Sequence, residues 1–257
     1  MTKIIFFDFD DTLYCHSLKD IPASSRLALK ILHDKGIHTY ICTGRSVFEL
    51  DNFPIQELGL SGMITSNGQT AYDNQRNIIY ENVFKGELKE KIVTMFNEKQ
   101  IPMYLLSDKN IFLNYLTDYV ADIQNALSSP IPPIKEYEGE KIYMASCFYN
   151  DEESHKKIHE LEDYAEVTYW YDGGTDVVMK GSSKATGIQA VLDHHHLALE
   201  DSMAFGDGNN DVAMVQYCHI GIAMGNADKE VKEVADYITD DIDKDGLYKA
   251  LKHFELI

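Results

Sequence analysis

The chain has 257 residues, 44% hydrophobic and 25% charged, the proportions of an ordinary folded protein long enough for one large domain or a core carrying an insertion. A formal net charge of −19 argues against nucleic acid as a partner, because holding a phosphate backbone needs a basic face whose counterion release drives association. The N-terminus lacks the charged, apolar, small-residue order of a secretory signal and the apolar runs are far too short to span a bilayer, so a cytoplasmic protein with no membrane partner is expected.

In chain order, KIIFFD (3–8) predicts a buried strand, SSRLALKILHDKG (24–36) a helix with a serine cap and a glycine stop, and HTYICT (38–43) a second strand. GMITSNGQTAYD (62–73) reads as a short strand entering an Asn-Gly turn, with NIIYE (77–81) as its partner. The texture changes over 82–182. GELKEKIVTMFNEKQ is an amphipathic helix, IPMYLLS and NIFLNYL are strand-like, TDYVADIQNAL suggests a helix and SSPIPPIKEYEGE a loop. KIYMASCFY, EVTYWYD and TDVVMK add three strand candidates around a charged helix, an arrangement that suits an inserted α+β domain with an antiparallel sheet. From 183 onward helix and strand alternate again: KATGIQAVLDHHH, SMAFG, NNDVAMVQYC, HIGIAM, DKEVKEVA, DYIT and a last helix near KDGLYKALKHF. Residues 1–81 and 183–257 therefore read as one α/β domain, a parallel sheet with helices on both faces. Cys15, Cys42, Cys147 and Cys218 have neither CxxC nor metal-ligand spacing and read as free thiols.

Ligands of an open parallel sheet bind beyond the carboxyl ends of its strands, and the polar residues collect there. The first strand ends in Asp8-Phe9-Asp10-Asp11-Thr12, the second in Thr43-Gly44-Arg45, and SMAFG in Gly206-Asp207-Gly208-Asn209-Asn210-Asp211; Lys184 begins the helix that re-enters the core. Each piece has an ordinary explanation, and a turn role suffices for Asp11. Together they suit phosphoryl transfer through a covalent aspartyl intermediate, with Asp8 as nucleophile and Asp10, two residues on, as general acid and base. A carboxylate ~4 Å from one phosphate charge costs about 4 kcal/mol at an effective dielectric near 20, so a cation is required. Oxygen ligands suit Mg²⁺, with Asp8 and Asp207 as side-chain ligands, Asp10 contributing its backbone carbonyl, Asp211 supporting the shell and Asn210 holding it or the substrate. Thr43, Lys184 and the amides around Phe9 would take the phosphate oxygens. Thr12, Gly44, Arg45 and Asn67 complete the candidate substrate contacts; Arg45 is read as meeting substrate in preference to pairing with a carboxylate, and Asn67 stands equally as turn residue or substrate contact.

DFDDT, TGR, Lys184 and GDGNND in this order resemble the four motifs of the haloacid dehalogenase-like hydrolase superfamily, and ITSNGQ, SSKATGIQAVL, MAFGDGNNDVAM and GIAMGNADKEVKEVADYIT resemble its Cof-type phosphatases with a type IIB cap. The similarity covers both outer segments nearly end to end and, over 82–182, concerns layout more than residues. It implies a Rossmann-like core, a cap whose closure excludes water and sets specificity, and Mg²⁺-dependent hydrolysis of small phosphorylated metabolites, often sugar phosphates. The family most often has glycine where Asp11 stands, and aspartate is one of the better substitutes because it tolerates left-handed backbone; it is expected to face solvent or cap an amide.

Two rivals remain at this level: a phosphosugar mutase using the same intermediate, which would need a bisphosphate activator, and a noncatalytic module with a long-lived phosphoaspartate, against which Asp10 argues. His194–His196 read as a solvated helix end, since consecutive helical residues point in different directions, and Tyr169, Trp170 and Tyr171 as alternating strand positions. A monomer or weak homodimer is expected.

Overall fold

Four consecutive apolar residues form β1 (Ile4–Phe7), and all four are fully buried. Successive strand side chains point to opposite faces, so this pattern requires a sheet covered on both sides. The computed structural model describes residues 2–126 and 129–257, with the backbone alone at Tyr171. Leu127 and Ser128, the end of one expected helix and the start of the proline-rich loop, lie outside the described residues.

After β1 come α1 (Ala23–Asp34), β2 (His38–Cys42), the short α2 (Val47–Leu50), β3 (Gly62–Thr65), β4 (Thr70–Asp73) and β5 (Ile78–Glu81). The next segment holds α3 (Gly86–Asn97), β6 (Met103–Ser107), β7 (Ile111–Leu113), α4 (Asp118–Ala126), β8 (Ile142–Phe148), α5 (Glu152–His159), β9 (Ala165–Tyr171) and β10 (Gly174–Met179). The chain then runs through α6 (Lys184–His195), β11 (Ser202–Gly206), α7 (Val212–Tyr217), β12 (Ile220–Ala223), α8 (Lys229–Val234), β13 (Tyr237–Ile238) and α9 (Gly246–His253). It divides into two compact units, residues 1–80 with 183–257, and residues 81–182.

The first unit carries an eight-stranded sheet in the order β13-β12-β11-β1-β2-β3-β4-β5, parallel from β13 to β3. β1 sits centrally, with Phe7 opposite Phe205 on one side and Ile41 on the other, so the loops after β11, β1 and β2 emerge side by side. The Asn-Gly turn joins β3 to β4, which returns antiparallel, and the NIIYE strand lies beyond β4 as β5; the sequence reading had merged the first two strands. The expected serine cap of α1 is corrected as well: Pro22, extended at φ −51° and ψ 140°, precedes the first turn, and no side chain caps it. Gly36, at φ +73°, does stop that helix.

The second unit is an antiparallel five-stranded sheet in the order β7-β6-β8-β10-β9 with its own apolar core, including Ile92, Phe96, Phe112 and Ile158. β7 is short because the buried Asn114 leaves the ladder, its Oδ1 accepting from the Met103 amide and its Nδ2 donating to the Ile101 carbonyl. All four cysteines are free and buried. Among the described residues no helix is long and apolar enough to cross a membrane.

Candidate active site

The parallel register brings the acids together. The Asp8 amide donates to the Phe205 carbonyl at 2.9 Å, which sets Asp8 beside the loop carrying Asp207 and Asp211. Lys184, the first residue of α6, is 1% exposed; its ammonium bridges Asp8 and Asp211, at 2.5 Å from the latter. Asp211 is fixed from its other oxygen, which accepts from the Asp207 amide at 2.9 Å and the Gly208 amide at 3.0 Å. A side chain at Gly206 would meet the Asp211 Cβ at 2.5 Å, so glycine there is what lets Asp211 fold back under the strand end. Thr12 donates to Asp207 Oδ1 at 2.5 Å.

Carboxylate oxygens of Asp8, Asp207 and Asp211 lie within 4.8 Å of one another. Burial, and then the charge of Asp211, push the Asp8 carboxyl up to about 8 against the pull of Lys184. Burial and the charges of Asp8 and Asp211 push Asp207 up to about 9, opposed by the Thr12 hydrogen bond. Burial disfavours the charge on Lys184, but Asp211 and Asp8 outweigh it and keep the ammonium protonated. The cluster is therefore short of positive charge even with Lys184 in place, and its all-oxygen donor set fits a hard divalent cation.

Asp10 has partners of its own. Its Oδ1 accepts from Arg45 Nη2 at 2.7 Å and from His16 Nε2 at 2.8 Å, and its Oδ2 from Arg45 Nε at 2.8 Å. Burial alone would raise the Asp10 carboxyl, but the hydrogen bonds from His16 and Arg45 outweigh it and hold the group well below the usual carboxylate range. The Arg45 guanidinium also lies 4.8 Å from the Phe53 ring centroid, and Phe53 packs edge-on against Phe9 and Tyr14. So Arg45, read from sequence as a substrate contact, is here engaged by a carboxylate and an aromatic face. Asp11 adopts φ +53°, and its Oδ1 accepts from the His16 amide at 3.0 Å.

A further loop backs the site. Ser66 and Asn67, both at φ +53°, and Gly68 at φ +90° form three successive left-handed residues. This bend is tied down by the Ser66 amide donating to the Arg45 carbonyl (2.9 Å) and the Asn67 amide to the Thr43 carbonyl (3.1 Å). The Asn67 side chain accepts from Asn210 Nδ2 at 3.1 Å and lies where a side chain at Gly44 would meet it, 3.0 Å away. The buried Thr43 hydroxyl accepts from the Arg45 amide at 3.1 Å.

The structure thus gathers Asp8, Lys184, Asp207, Asp211 and Thr12 in one contact set, Asp10 and Arg45 in a second, and Thr43, Gly44, Asn67 and Asn210 in a third, while the Phe9 side chain is buried among aromatics. Sequence reasoning passed over His16, because nothing in the spacing of YCHS announces that its ring returns to Asp10. His194 and His196 are exposed at the helix end, but His195 turns inward to share a 2.8 Å hydrogen bond with the Tyr40 hydroxyl and stack on His38. Trp170 packs edge-on against Phe148, and Tyr169 is exposed; the Tyr171 side chain lies outside what is described.

A family model for haloacid dehalogenase-like hydrolases matches residues 5–251. The chain belongs to this family. It is 34% identical to the Bacillus subtilis (strain 168) protein named "Putative phosphatase YkrA" over all of this chain and 99% of that one. Among solved structures, BT1666 of Bacteroides thetaiotaomicron, a phosphatase of the haloalkanoate superfamily, is 33% identical with a TM-score of 0.89, covering 100% of this chain and 96% of the other. BT4131, described as a subclass IIB sugar phosphatase, is 32% identical with a TM-score of 0.86, and each chain is covered completely. The protein is a haloacid dehalogenase-like phosphatase of the Cof-type, subclass IIB group.

Proposed function

We infer that this phosphatase hydrolyses small phosphate monoesters, sugar phosphates or related metabolites, through a phosphoaspartate on Asp8. The observation that carries the reading is the convergence of Asp8 and Asp207, at the ends of the adjacent strands β1 and β11, with Lys184 at the start of α6, and with a second carboxylate, Asp10, two residues on and paired with Arg45 and His16. An Asp8 oxygen attacks phosphorus as the bond to the leaving oxygen breaks, and a proton from Asp10 goes to that oxygen, releasing the alcohol. Water then attacks phosphorus and gives its proton to Asp10, the bond to Asp8 breaks, and inorganic phosphate leaves with both carboxyls restored. Lys184 neutralises the approaching phosphoryl group, and the Thr43 hydroxyl and the amides around Phe9 orient its oxygens. His16 and Arg45 hold the Asp10 carboxyl well below the usual carboxylate range, so it is ionised in the resting arrangement and takes up its proton as the negatively charged substrate enters.

Asp8 and Asp207 would hold Mg²⁺, with the Asp10 carbonyl contributing and Asp211, already fixed by two amides and Lys184, supporting. Bound there, the ion offsets the repulsion between substrate phosphate and the carboxylates. Residues 82–182, resembling BT4131 in layout, are assigned to substrate selection.

Phosphate release from an aryl phosphate tests this with wild type plus Mg²⁺, wild type plus chelator, and Asp8→Asn plus Mg²⁺. Turnover confined to the first sample is the expected result, to be followed by a panel of sugar phosphates. Folded wild type that releases no phosphate in Mg²⁺, or Asp8→Asn that does, would refute it.

A further inference from the structure

The segment after β1 doubles back on itself. The Leu13 and Tyr14 amides both donate to the Phe9 carbonyl, at 3.0 and 2.7 Å, and the Asp11 amide donates to the Tyr14 carbonyl at 2.8 Å. Cys15 and Asp20 then exchange backbone hydrogen bonds, at 3.0 and 3.4 Å, closing a second turn. Inside the second turn His16 is fixed three ways. Its amide donates to the Asp11 carboxylate, its ring packs edge-on against Tyr14 at 5.3 Å between centroids, and its Nε2 donates to Asp10 Oδ1. Arg45 reaches the same carboxylate from the loop after β2.

The two partners divide the carboxylate unequally. Oδ1 accepts two hydrogen bonds, one from each partner, whereas Oδ2 accepts one, from Arg45. A carboxylate oxygen has two lone-pair directions, so Oδ2 keeps one open. Arg45 alone fixes the plane of the carboxylate and leaves a lone pair open on each oxygen. His16, approaching from a different element, fills the one on Oδ1 and so leaves Oδ2 as the oxygen open to a proton.

We propose that His16 is a positioning residue for Asp10: with Arg45 it locks the carboxylate so that Oδ2 exchanges the proton with the leaving oxygen and with water. The inference rests on the assignment of Asp10 as general acid and base given above. It also accounts for Asp11. The aspartate accepts the left-handed backbone that glycine would accept, and its carboxylate adds an anchor for the His16 amide that glycine does not have.

The test is the dependence of kcat/KM on the leaving group, measured at one pH in Mg²⁺ with 4-nitrophenyl phosphate and β-glycerol phosphate. Phosphorylation of Asp8 governs this ratio, and an aryl oxide departs without a proton whereas an alkoxide does not. His16→Phe keeps a ring for Tyr14 and lacks the donor; His16→Gln keeps a donor near the Nε2 position. His16→Phe is expected to lose roughly tenfold or more on the glycerol ester and less than about threefold on the aryl ester, with His16→Gln restoring most of the difference. His16 is about one-third exposed at its side chain, so these variants are expected to fold, and His16→Ala serves as a second donor-free variant; the unfolding temperature of each is checked. Equal losses on both esters, no loss on either, or His16→Gln behaving like His16→Phe would overturn the proposal. Wild type inactive on both esters would instead remove the phosphatase mechanism beneath it.

Discussion

Replacing Lys184 by methionine keeps most of its volume and removes one charge. The side chains of Lys184 and Asp211 are fully buried and that of Asp8 is 8% exposed, so water cannot screen what remains. The two carboxylates stay within 4.8 Å of each other. At an effective dielectric near 20 that separation corresponds to a repulsion of about 3.5 kcal/mol. This agrees with the roughly 3–5 kcal/mol lost on breaking buried ion pairs from one side. For a unit of this size each kcal/mol moves the midpoint by roughly 2–4 °C, which gives a drop of roughly 6–20 °C. The assay is thermal unfolding in chelator, so that no divalent ion substitutes for the ammonium, and at pH ~9, above the value of about 8 to which Asp8 is raised, so that its carboxylate is charged while Lys184 is in place. A second substitution, Asp211→Asn, removes the excess charge while its amide oxygen still accepts from the Asp207 and Gly208 amides. The double variant should therefore be more stable than Lys184→Met alone, although both lack activity. A single variant within about 1 kcal/mol of wild type, or a double variant below the single, would refute the argument from charge balance.

Three other expectations follow from the same geometry. Because burial and neighbouring carboxylates raise Asp8 and Asp207, adding Mg²⁺ to metal-free protein should raise its unfolding temperature, by about 2.7 kcal/mol in stability at a hundredfold excess over Kd, and Asp207→Asn should abolish most of the shift; an unshifted wild type would count against a cation site. Gly206→Ala drives a methyl group into Asp211, so it should cost about 1–3 kcal/mol and lower kcat with little change in overall fold by circular dichroism; wild-type stability and kcat would show that Asp211 moves aside freely. His195 is held to about 4 by burial and by His38, His194 and His196, below its ordinary value near 6.5, so the unfolded chain takes up the proton first as pH falls. Stability from this group is complete above pH ~6.5 and is lost down to pH ~4, by about 1 kcal/mol once partial solvation is allowed for; urea midpoints for wild type and His195→Gln should diverge above that window and converge below it.

What could be read from the sequence follows from what is local or topological. Asp8, Thr43 and Asp207 each end a strand, and once the strands pair in parallel their loops must meet, so alternation and strand ends sufficed to find them. Lys184 followed from its place at a helix start, although its double pairing depends on how closely α6 seats against the sheet. The helix start at Pro22 was missed because two serines just beyond it carry the stronger capping preference, and the extra strand β4 because four residues after a tight turn look the same whether they end a loop or form a pair.

Partner choice was the other unread level. Arg45 is complementary both to a phosphate and to a carboxylate, and composition cannot rank them; the geometry that engages it with Asp10 comes from Phe53 beneath its guanidinium and from the backbone tie between the Arg45 carbonyl and Ser66. His195 looks like its neighbours in sequence, and only the register of the last turn of α6 against β2 separates it from them. Asp11 is the instructive case. Its departure from glycine is visible in the sequence, and a left-handed aspartate is a tolerable substitute on backbone grounds alone. The distance from its carboxylate to the His16 amide gives the substitution a role: the same residue that relieves the turn fastens the loop that brings His16 to Asp10. If that coupling holds, Asp11→Gly should reproduce the leaving-group dependence of His16→Phe in weaker form, whereas a turn that merely tolerates aspartate would leave that dependence unchanged.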